Sequence, residues 1–75
     1  MGTIVPFLRG QSVFDPEALL AMSAALDRAC DALNLPETAA RDRETVAVRI
    51  VELARRGERD ATRLCEGVLH DAGAR

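Results

Sequence analysis

Lysine is absent from this chain: every one of its ten basic residues is arginine, and twelve acidic residues leave a formal charge of −2. A pI near 5.3 supplies no global attraction to nucleic acid or to an anionic membrane surface. Arginine without lysine, beside abundant alanine, points to GC-rich bacterial coding rather than to a binding preference. No window approaches the ~18 apolar residues of a membrane span, and no basic stretch followed by an apolar run opens the chain. The expectation is a cytoplasmic protein with no membrane partner. Met1-Gly2 does not extend to a myristoylation signal, because Pro6 stands where Ser or Thr is required. There is no glycine-rich phosphate loop, internal repeat or low-complexity segment.

Bulk is scarce as well. At 75 residues and 8.1 kDa there is room for one domain, and a chain this short hides only roughly 60 % of the surface its unfolded form exposes. Such a core rarely supplies more than about 3–5 kcal/mol of net stability, which small domains often supplement with disulfides, a metal or a second subunit. The two cysteines allow one bridge at most. Both fall on apolar helix faces, where a free thiol acts as a small hydrophobe, so a reduced pair is expected and oligomerisation is the route left open.

What the chain does have is helical periodicity. Residues 1–14 form an apolar arm carrying Ile4, Val5, Phe7, Leu8, Val13 and Phe14, interrupted by Pro6 and Gly10. Both aromatic side chains of the protein lie in it, in a segment too irregular to bury them unaided. The arm must therefore pack on its own helices or on another chain. A short strand over Thr3 to Leu8 is an alternative there, confined to a sheet edge by the missing amide hydrogen of Pro6.

Residues 15–75 read as a single helical domain. Asp15 can cap a first helix, Pro16 suits its first position, and Glu17 complements the dipole. Phe14 and Leu19 occupy the two positions of a hydrophobic staple. Leu19, Met22, Leu26, Ala29, Cys30 and Leu33 form its buried stripe, broadened by Ala18, Ala21, Ala25 and Ala32, which permit close helix approach. The helix should end near Leu33 or Asn34. A second helix starts between Pro36 and Asp42, with Pro36, Thr38 and Asp42 as competing signals. Its apolar face is Val46, Ala47, Ile50, Leu53 and Ala54, with Val48 and Val51 to the sides. Arg55 and Arg56 suit its last turn, and Gly57 its left-handed terminus, where valine is expected to be destabilising. Asp60 then caps a third helix with apolar positions Ala61, Leu64, Cys65, Val68, Leu69 and Ala72. The short Gly57-Glu58-Arg59 loop makes helices two and three neighbours. The fold class is all-α, a three-helix bundle or a helix plus helical hairpin.

Chemistry is thinly represented. His70 and Glu66 stand one helical turn apart, but a zinc site needs further ligands, and Cys65 points to the apolar side where burial makes a thiol inert. No catalytic residue, metal or cofactor is expected. Arg55, Arg56, Arg59 and Arg63 gather around the second turn as candidate phosphate contacts, interleaved with Glu52, Glu58 and Asp60. They define an alternative reading, a small DNA-associated transcriptional regulator using the helix-turn-helix corner. It is disfavoured by the carboxylates on the would-be recognition helix. The leading expectation is a non-enzymatic protein-interaction module, self-associating as a dimer or joining another protein, with Phe7, Leu8 and Phe14 as interface anchors.

Phe14-Asp15-Pro16-Glu17 and Arg55-Arg56-Gly57-Glu58-Arg59-Asp60, with Ile50-Val51-Glu52-Leu53-Ala54 before the second, resemble segments of short uncharacterised helical proteins from alphaproteobacteria. The likeness covers most of the chain but consists of capping and turn signals. It implies a helical fold and a cytoplasmic bacterial origin, and carries no activity, ligand or functional residue.

Overall fold

Three helices follow one another: α1 over Pro16–Ala32, α2 over Ala40–Arg55 and α3 over Ala61–Gly73. The structure is a computed structural model that describes Ile4, residues 14–70 and the backbone of 71–73. Each helix packs on the other two, so the bundle is closed rather than a helix laid beside a hairpin. The described residues include no strand. The strand considered at Thr3 to Leu8 falls, apart from Ile4, outside the described residues.

The ends of the helices follow local chemistry. Asp15 accepts a hydrogen bond from the Ala18 amide at 2.7 Å, and Pro16 occupies the first turn, as the sequence requires. Phe14 and Leu19, the proposed staple, are both half-buried against the core. At the far end the Asn34 amide donates to Asp31 O at 3.1 Å and the Leu35 amide to Cys30 O at 2.9 Å. This double closure is a Schellman motif, with Asn34 at φ 57° in the left-handed position. α2 ends in the same way: Gly57 donates to Ala54 O at 3.0 Å and Glu58 to Leu53 O at 3.2 Å, with Gly57 at φ 110°. Asp60 caps α3 through the Thr62 amide at 2.8 Å.

The start of α2 departs from expectation. None of the competing signals caps it; Ala39 takes the cap position with no side-chain hydrogen bond, and Asp42 lies within the first turn. A turn closed by the Ala39 amide on Pro36 O at 3.0 Å delivers the chain to the helix instead. Asp42 then acts through its charge near the positive dipole end.

The core is apolar throughout, with no buried polar or charged residue described. Alanines carry much of it: Ala18, Ala25 and Ala29 of α1 and Ala47 and Ala54 of α2 belong to one cluster, all at 2 % exposure or less. Such small side chains allow backbones to approach closely, which is why Leu19, placed on the buried stripe, is only half-buried while Ala18 and Ala25 lie deeper. Val51 is buried at 6 % and Val48 stands out at 47 %, so the two flanks of α2 are not equivalent. Gly67 in mid-α3 has a packing reason. A Cβ there would lie 2.7 Å from Leu53 Cδ1, so its absence admits the Leu53 side chain between α2 and α3.

One core residue comes from the arm. Ile4 is fully buried, and its amide donates to Ser23 Oγ at 3.0 Å. The arm thus adds a large side chain to a core in which Met22, Leu26, Ile50 and Leu64 are the other large, fully buried aliphatic groups described. Ile4→Ala is expected to cost about 2–5 kcal/mol and to lower the melting temperature by at least about 8 °C, measured by thermal denaturation followed by circular dichroism.

The two left-handed termini should respond differently to substitution. No atom would obstruct a Cβ at Gly57, so its penalty is conformational. Gly57→Val is expected to lose about 1–3 kcal/mol, whereas Asn34→Gly should stay within about 1 kcal/mol. Urea unfolding with an unchanged slope checks both.

Candidate interaction site at the helix corner

The residues singled out for function divide between the arm and the α2–α3 corner. Phe7 and Leu8 lie outside the described residues. Phe14 is half-buried and packs on the protein's own core. Arg55, Arg56, Arg59 and Arg63 are all exposed around the corner, but they are not equivalent cations.

Arg59 is engaged within the chain. Its Nη1 donates to the carbonyl of Ala54, which also accepts the Gly57 amide at the end of α2, and to Glu58 O at 3.1 Å. The guanidinium carbon also stands over the Phe14 ring, 5.4 Å from its centroid, within cation–π range. A small depression beside it is lined by Asp15, Glu17, Ala18 and Arg59. Arg59 therefore joins the C-terminus of α2 to the entry of α1, whose acidic first turn faces the same depression.

The corner carboxylates are also occupied. Glu58 Oε2 accepts from the amides of Arg59 at 3.2 Å and Asp60 at 3.3 Å, while Asp60 holds the first turn of α3. Arg63 lines a broad, open depression together with Gly57, Glu58, Arg59 and Asp60. An anion approaching there meets two carboxylates as well as two guanidinium groups, and one of those guanidinium groups is already bonded to backbone. On α1, Arg28 Nη1 reaches across to Thr62 Oγ1 at 3.2 Å, a further tie between α1 and α3. Arg49 pairs with Glu52 at 2.9 Å along the exposed face of α2.

The two thiols differ in their exposure. Cys30 is buried and Cys65 half-buried, and both are free. Burial pushes the Cys30 thiol up; Arg43 opposes the shift, while Asp27 and Asp31 add to it. Burial likewise raises Cys65, with Arg28 opposing and Glu66 reinforcing. His70 and Glu66 are exposed one turn apart, and no group of three or more metal-binding side chains gathers among the described residues. No described helix is long and apolar enough to cross a membrane.

Sequence reasoning missed the Arg59–Phe14 contact. The residues are 45 positions apart, and no local pattern links them. The one hint was the placement of Phe14 immediately before the α1 cap, which obliges its ring to lie near a helix end. The exposure of Leu20, at 72 %, was also missed. It falls on the outer side of α1, away from the alanine-lined contact.

Comparison of the chain with protein families, curated proteins and solved structures finds no match in any of the three.

The thiol environment fixes a pH dependence. A thiol raised in the folded state favours its protonated form there, so this contribution to stability is fully present below the ordinary thiol pKa and is lost as pH rises through the folded value. Urea midpoints should therefore decline above about pH 8.5. Cys30→Ala combined with Cys65→Ala should flatten that decline; an equal decline in the double variant would assign it to other groups.

Proposed function

We propose that this chain is a non-enzymatic helical interaction module that associates with a second copy of itself. The observation that carries this reading is Leu20, the most exposed large hydrophobic residue described, standing at 72 % on the outer side of α1 within two turns of the half-buried Phe14. Burying Leu20 against a second copy would add apolar area to a domain whose own core is small, next to an apolar arm that leads into the same helix. Leu20 and Phe14 are the described anchors of the proposed contact; Phe7 and Leu8 extend it along the arm.

The arm cannot be tested by deletion, because deletion would also withdraw Ile4 from the core. Point substitutions beyond Ile4 avoid that confusion. Sedimentation equilibrium from micromolar to millimolar concentration should show a dimer for the intact chain, weakened at least about tenfold by Leu20→Glu and by the pair Phe7→Ser, Leu8→Ser. Val48→Glu, on α2, should leave it unchanged. A monomer at millimolar intact protein would refute self-association.

A further inference from the structure

We infer that Arg59 is an autoinhibitory clasp over Phe14: it covers one face of the ring in the isolated chain and so withholds an anchor from the self-association proposed above, on which this inference rests. Phe14 is half-buried against the core cluster, and the guanidinium of Arg59 lies over its ring at 5.4 Å from the centroid. The side chain that covers the ring is itself held from behind, because the same Nη1 donates to the Ala54 carbonyl at the end of α2 and to Glu58 O. Arg59 is thus oriented by backbone that belongs to the bundle, and Phe14 is covered by a residue fixed to a different part of the fold from the arm.

Phe14 was one candidate contact and Arg59 another, for a protein partner and a phosphate respectively. Their juxtaposition makes the two mutually dependent. A second copy that uses the covered face of Phe14 must displace Arg59, and anything that draws Arg59 away must uncover Phe14. The cost of displacement is subtracted from the affinity of the dimer, so removing the guanidinium should strengthen association. Arg56, exposed at the C-terminus of α2 and over no described ring, provides a nearby cation for comparison.

The chain contains only two phenylalanines, so 4-fluorophenylalanine labelling yields two fluorine resonances, assigned with Phe7→Leu. In Arg59→Gln the Phe14 resonance should move and the dimer dissociation constant should fall about two- to fivefold, the strength of a cation over an exposed ring. Arg56→Gln should change neither. In a Phe14→Leu background, which keeps the position apolar without a ring, Arg59→Gln should no longer tighten the dimer. An unmoved Phe14 resonance in Arg59→Gln, at an unaltered melting temperature, would overturn the clasp. A moved resonance with an unchanged or weaker dimer would overturn its inhibitory role while leaving self-association in place. A chain monomeric in every variant would remove self-association itself, and the inhibitory role with it. Arg59→Lys, which retains a cation but not the planar fork, guards against loss of the corner: a folded Arg59→Lys dimer intermediate between wild type and Arg59→Gln supports the clasp.

Discussion

Burial of alanine on both α1 and α2 is the constraint on which the rest of this structure depends. Alanine forms helices well and lets axes come together, but each one contributes little apolar area to the core. Ala18, Ala25, Ala29, Ala47 and Ala54 are almost wholly buried, and the larger fully buried side chains are few: Ile4, Met22, Leu26, Ile50 and Leu64, with Cys30. The bundle therefore draws bulk from outside its helices. Ile4 supplies it, and the Ser23 hydroxyl holds the Ile4 amide so that its burial leaves no unsatisfied donor there. The same economy places a glycine at position 67, where Leu53 occupies the space a side chain would need.

Helices were legible in the sequence because their signals are local. Asp15 and Asp60 cap where a carboxylate precedes an apolar period, and Gly57 ends α2 because its φ of 110° is strained for any residue with a Cβ. The start of α2 was not legible, since Ala39 carries no capping group and the chain is turned by backbone hydrogen bonds that any residue could make. Depth within the bundle was harder to read than face. The helical period identifies an apolar stripe, but whether Ala18 or Leu19 lies deeper is decided by how closely the next helix approaches. The arm was recognised as apolar, yet its seat could not be found, because the burial of Ile4 depends on a gap formed by residues far along the chain.

The candidate site illustrates the same division. Four arginines close in sequence read as one basic cluster, whereas in space they differ in what holds them. Arg59 is bonded to the end of α2 and lies over an aromatic ring; Arg63 borders an open depression beside Glu58 and Asp60. Charge counting treats these side chains alike, while geometry separates a cation used for internal cohesion from one facing solvent. An exposed residue is thus not necessarily an available one.

Burial of Ile4 also binds two distant stretches of the chain to one event. It shares its cluster with Leu64 and Val68 of α3. Its surroundings are incomplete until α3 is seated, and α3 packs over an incomplete core until Ile4 is in place. The entry segment and the last helix therefore gain their burial together, so loosening either one exposes the other.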